Sequence, residues 1–163
     1  MNKRVYTIIL MGILMLVIVF MENLFISDIK KVAILNNNIE KFDRYVLREG
    51  KYSFSLPEGW DIDSRSNNND VIVTFNNKED IYGSISILNN SVDNMKIYKD
   101  GKKIIENGYT WTVISKSDKK HVSKYYMRDY SEGRVLAIEF SYTEGKVKNS
   151  IKVVFDYIVN SFI

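Results

Sequence analysis

From Val5 to Met21 the chain reads VYTIILMGILMLVIVFM, seventeen residues without a charge, and Lys3 and Arg4 stand immediately before them. This run decides where everything after it must work. A helix of that length, rising about 1.5 Å per residue, just reaches across a hydrocarbon layer about 30 Å thick. Leu24, Phe25 and Ile26 lengthen it beyond Glu22 and Asn23. The run is apolar on all sides, which suits lipid better than the one-sided stripe of a core helix.

A cleaved secretory signal needs small residues at its cleavage site. Phe25-Ile26-Ser27 and Lys31-Val32-Ala33 each put a large residue at the minus-three position, so a retained signal anchor is expected. Lys3 and Arg4 hold the short tail in the cytoplasm by the positive-inside rule. Glu22 and Asp28 follow the span, with Lys30 and Lys31 reducing the asymmetry. The expectation is a single-pass protein of the cell membrane with its N-terminus cytoplasmic. Residues 1–26 would be tail and transmembrane anchor, 27–49 a neck or linker, and 50–163 an extracytoplasmic domain.

Charge and cysteine content narrow the function classes. Beyond the span, 21 Lys and Arg face 20 Asp and Glu, so no electrostatic argument favours nucleic acid. The chain has no cysteine, which removes disulfides, thiolate metal sites, cysteine nucleophiles and lipidated cysteine anchors.

In the neck, Val32, Leu35, Ile39, Phe42 and Val46 follow a three-four spacing that lines one face of a helix. Asn36-Asn37-Asn38 interrupts it with weak helix formers. The segment reads as a helical neck packed on the domain, as a short dimerising coil, or as already a strand over Tyr45 to Leu47.

From Lys51 the period changes to two. Tyr52, Phe54 and Leu56 alternate with serines until Pro57-Glu58-Gly59, and Trp60 follows. Asp61 to Asp70 is a polar loop. Val71, Val73 and Phe75 form the next run; Ile81, Gly83, Ile85 and Ile87 form another. Ser91 is a candidate cap for a short helix over Val92 to Tyr98, while Asp100-Gly101 fits a hairpin turn. Strands are expected over Thr110 to Ser115, His121 to Asp129 and Val135 to Tyr142, the last two joined through Ser131-Glu132-Gly133-Arg134.

The chain ends in an amphipathic helix. Val147, Ile151, Val154, Phe155, Ile158, Val159 and Phe162 make a wide apolar stripe, with Lys146, Lys148, Asn149 and Lys152 largely outside it. Residues 50–163 suffice for one core and not for two. The fold class is therefore expected to be α+β, an antiparallel β-sheet packed with helices behind an N-terminal transmembrane helix.

Two strings add a family likeness. Tyr52-Ser-Phe-Ser-Leu-Pro-Glu-Gly-Trp60 resembles the opening strand and Pro–Trp turn of PsbP-like domains, and Phe155-Asp-Tyr-Ile-Val-Asn-Ser-Phe162 is similar to their closing helix. The resemblance covers roughly residues 45–163. It implies a central antiparallel sheet flanked by helices and a binding or assembly role in place of catalysis. Plant relatives serve photosystem II and an intracellular relative engages a small GTPase; neither role suits an outward-facing anchored domain.

His121 is the sole histidine and adjoins Lys119 and Lys120, so it reads as a solvated strand-edge residue. No Gly-x-Ser-x-Gly elbow is present. Asp61-Ile-Asp63 with Asn67 to Asp70 has a calcium-loop flavour, but Arg65, Ser66 and Ile72 occupy positions that need a ligand, a glycine and a glutamate. No metal and no cofactor is expected. The candidate interaction surface combines the aromatic cluster Tyr125, Tyr126 and Tyr130 with the basic helix face Lys146, Lys148 and Lys152. A non-enzymatic module that binds or assembles an envelope protein, or a wall or lipid component, is the leading expectation. One alternative is an envelope hydrolase using Asp61, Asp63 or Glu139; another is a sensor that oligomerises through its neck.

Overall fold

The computed structural model describes residues 3–47, 50–64, 71–89 and 101–163. The expected short helix over Val92 to Tyr98 and most of the polar loop lie outside them.

Helix α1 spans Lys3–Leu35 without a break. Its side chains from Arg4 to Val32 are exposed wherever they are described, so the domain shields none of the apolar run. It is one N-terminal helix long and apolar enough to span a membrane. The expected neck is divided between elements. Residues 27–35 continue α1, Asn36 to Asn38 turn the chain with Asn38 at φ 57°, and β1 occupies Phe42–Leu47. The three-four spacing across the neck is therefore not one helical seam. Ile39 is buried in the core and Phe42 packs on Tyr157 with ring centroids 3.9 Å apart, so neither remains for a dimerising coil.

Strand β2 (Tyr52–Pro57) pairs antiparallel with β1 as a separate two-stranded sheet. The remaining strands are β3 (Asp61–Asp63), β4 (Val71–Asn76), β5 (Ile81–Leu88), β6 (Lys102–Glu106), β7 (Tyr109–Asp118), β8 (His121–Asp129) and β9 (Val135–Thr143). They form one antiparallel sheet of order β3-β4-β5-β9-β8-β7-β6. A short 3₁₀ turn over Ser131–Gly133 joins β8 to β9. His121 begins β8, an interior strand, so it lies at a strand end and not on the sheet's edge.

The first turn of the β6–β7 hairpin is Asn107-Gly108, with φ of 49° and 78°. Two successive left-handed residues match the twist of flanking strands, which is why Asn-Gly favours this turn. The Asp100-Gly101 turn expected from the sequence falls partly outside the described residues; Gly101 stands just before β6.

Helix α2 covers Ile151–Ser161, four residues shorter at its start than the stripe from Val147 implies. Ile151, Val154, Phe155, Ile158 and Val159 are its buried face. That face lies on Leu136, Ile138 and Phe140 of β9, with Phe155 stacked on Phe140 at 4.1 Å. The β1–β2 sheet closes over the helix C-terminus. Ser55 N–H donates to Ser161 Oγ at 2.8 Å, and Ser53 exchanges backbone hydrogen bonds with Ile163 at 3.0 and 2.9 Å. The architecture is α+β, with the core between the seven-stranded sheet, α2 and the β1–β2 hairpin.

Candidate functional site

The six residues expected to form one interaction surface do not converge. Consecutive strand residues point to opposite faces, so Tyr125 and Tyr126 separate. Tyr126 is 1 % exposed and belongs to the core, which corrects its assignment to a binding face. Tyr125 is half-buried on the other side of β8, with the Lys116 ammonium 5.7 Å from its ring. Tyr130 lies past the strand end, edge-on to Phe162 at 6.5 Å.

Two of the lysines are engaged within the fold. Lys146 pairs with Asp80 at 2.8 Å, and Lys148 donates to the carbonyl of Asn36 just beyond the end of α1. A cation there satisfies a carbonyl that the helix leaves open. Lys152 stays exposed on α2.

The candidate carboxylates also stay apart. Asp61 pairs with Lys78 at 3.2 Å on the outermost strand. Asp63 shares that strand, whereas Glu139 sits on β9, beyond β4 and β5, and on the face away from Ile138 and Phe140. Among the described residues no group of three His, Asp or Glu is placed to hold a metal ion.

What the structure does assemble is a cleft of about 380 Å³ between the last turns of α1, α2 and the β6–β7 turn. Lys30 and Ile34 come from α1, Asn107 from the turn, and Val153, Asp156, Tyr157, Asn160 and Ser161 from α2. Asp156 and Asn160 are one helical turn apart, so both face it from the same side. Spacing alone could have flagged them as two polar residues flanking the apolar stripe. Their convergence with Lys30 and Asn107 needed the fold.

Behind the cleft wall runs a partly buried polar chain. Lys124 donates to the Tyr126 hydroxyl, which donates to Asp156 Oδ1 at 2.5 Å; Lys124 and Asp156 stand 3.9 Å apart. Burial, with Asp156 beside it, pushes the Tyr126 phenol far above its ordinary range. Burial is also the main reason the Lys124 ammonium lies below its usual value; Asp156 opposes that shift and Lys152 adds to it. Tyr126 is consequently a neutral donor that fixes Asp156.

Asn160 is fixed similarly. Its Nδ2 donates to Glu106 Oε2 at 2.7 Å, while its Oδ1 is buried and accepts no hydrogen bond. Lys30 forms no ion pair with a described residue. The cleft thus offers a cation on one wall and a carboxylate on the other.

No family model and no curated protein matches the chain. Solved structures do. The Ran-binding protein Mog1p of Saccharomyces cerevisiae superposes with a TM-score of 0.55 at 10% identity, over 76% of this chain and 95% of its own. A point mutant of Mog1 gives 0.51 at 10% identity over the same shares. A crystal structure from Bacteroides thetaiotaomicron VPI-5482 gives 0.55 at 9% identity, over 74% of this chain and 47% of that one, so the present chain spans about half its length. At such identities the likeness is one of fold alone, and the fold shared is α+β.

Proposed function

We propose that this chain is a membrane-anchored, extracytoplasmic binding or assembly module with a PsbP-like domain, non-enzymatic, whose contact site is the cleft beside the anchor. One observation carries the reading: the same helix that is apolar enough to span a membrane ends as a wall of the cleft. Anchor and site are continuous, so whatever is bound is held at the membrane surface. Lys3 and Arg4 ahead of the span support an N-terminus on the cytoplasmic side. The scattered positions of Asp61, Asp63 and Glu139 favour binding over acid–base chemistry, which needs groups within hydrogen-bond reach of one reacting atom. Mog1p, described as Ran-binding, shows that a fold of this kind can serve as a binding scaffold.

Carbonate extraction and protease treatment of intact spheroplasts test the placement. The full-length chain should stay with the membrane pellet, and its domain should be digested from outside. Release by carbonate, or protection from external protease with digestion in lysed cells, would sink the anchored or the outward-facing reading respectively.

A further inference from the structure

We propose that the cleft is a headgroup site for a phospholipid that carries both a phosphate and a primary ammonium, an aminoethyl phosphate lipid of the membrane in which α1 stands. The inference rests on the anchored reading and adds its ligand.

Height gives the first argument. Lys30 lies four residues beyond Ile26, the last residue of the extended apolar stretch, or about 6 Å along the helix axis. The polar layer of each leaflet is about 5–8 Å deep. Lys30 therefore stands among headgroups, and the cleft opens beside it.

Chemistry gives the second. Lys30 has no acidic partner among the described residues and can take a phosphate oxygen. Across the cleft stands the Asp156 carboxylate, held in place through Oδ1 by the Tyr126 hydroxyl. A primary ammonium has three N–H donors and a positive charge, and so answers that carboxylate in both hydrogen bonding and charge. A trimethylammonium has the charge but no N–H. A glycerol headgroup has donors but no charge to set against Asp156. Ile34 and Val153 line the cleft as apolar surface suited to a glycerol backbone. The volume, about 380 Å³, falls within the range of roughly 300–1,000 Å³ usual for small-ligand pockets.

The test is native mass spectrometry of the full-length chain in a non-ionic detergent, titrated with phosphatidylethanolamine, phosphatidylcholine or phosphatidylglycerol. A single phosphatidylethanolamine should be retained at least tenfold over the other two. Lys30→Gln, at an exposed position, should reduce that retention fivefold or more, as should Asp156→Asn, which keeps an acceptor for Tyr126. Equal retention of the three lipids, or retention unchanged in both variants, overturns the proposal. Competition by free phosphoethanolamine at concentrations matching the lipid would also overturn it, making a soluble metabolite the ligand. Failure of lipid selectivity with carbonate-resistant protein removes this inference alone, whereas release by carbonate removes the anchor on which it rests.

Discussion

The Tyr126 hydroxyl lies 2.5 Å from Asp156 Oδ1 and donates to it, joining the middle of the seven-stranded sheet to the helix that packs across it. It also sets the carboxylate that faces the cleft beside the end of α1, so packing and the candidate site share one hydrogen bond.

Removing that donor should destabilise the domain. Tyr126→Phe keeps the ring against Phe140, which it meets edge-on at 5.9 Å, and deletes only the hydroxyl. Asp156 and Lys124 then lose a shared partner, at a cost of about 1–3 kcal/mol. Urea denaturation should show a lower midpoint with an unchanged slope. A midpoint equal to that of the parent would remove Tyr126 from the account.

The same pair predicts an alkaline dependence. Tyr126 holds its proton above the ordinary phenol value of 10.0, so its contribution is whole below pH 10.0. Above it the unfolded chain loses the proton first, the folded state binds more protons, and stability falls as pH rises. The slope attributable to one proton is at most about 1.4 kcal/mol per pH unit. Lys124, with its value lowered, acts with the opposite sign, but its window closes at 10.5. Between pH 10.5 and 11.5 the parent should therefore lose stability faster than Tyr126→Phe in parallel denaturation series; parallel curves would contradict the coupling.

Gly83 is predicted to be intolerant of any side chain. A Cβ there would run into the Phe75 ring and come within 2.8 Å of the Glu139 carbonyl oxygen. The ring is itself wedged between Trp60 and Phe140, and the carbonyl belongs to the neighbouring strand. Gly83→Ala should cost about 1–3 kcal/mol through overpacking. A thermal midpoint within a degree of the parent would show that β5 and β9 can part without penalty.

The Phe140–Phe155 stack should be the largest single packing contribution of α2. Phe155→Ala leaves a cavity under a helix whose other buried residues are smaller, and about 3–5 kcal/mol is expected. Loss of near-ultraviolet circular dichroism with far-ultraviolet signal retained would mark a loosened core. A loss below 1 kcal/mol would mean that the helix re-seats over the gap.

Much of the framework was legible from periodicity. The stripe of α2 and the alternation in β2, β5 and β9 record burial directly, because a side chain's face follows from its position in a helix or strand. Val147 misled at the helix start: it is half-buried in the turn before α2, and burial gives the same signal whether or not the backbone is helical. In the neck, Ile39 and Phe42 carry a helical spacing for the same reason, although they are buried from a turn and a strand. Asn107-Gly108 is a turn signal that the apolar periodicity passes over; both residues take positive φ.

The candidate site was much less legible. Tyr125 and Tyr126 look alike in sequence, and the strand sends one to each face. Lys146 and Lys148 look like a solvated face, but Asp80 and the Asn36 carbonyl meet them from elements 66 and 112 residues away. Asp156 and Asn160 share a helical spacing, but nothing in the sequence ties that pair to Lys30 or Asn107. The sequence by itself determined the apolar helix and the strand and helix faces, since these depend on local pattern and on transfer of apolar surface from water. Only the tertiary structure decided which polar groups meet, because a hydrogen bond or ion pair between distant residues depends on strand order, on register, and on where the end of α1 comes to rest against α2.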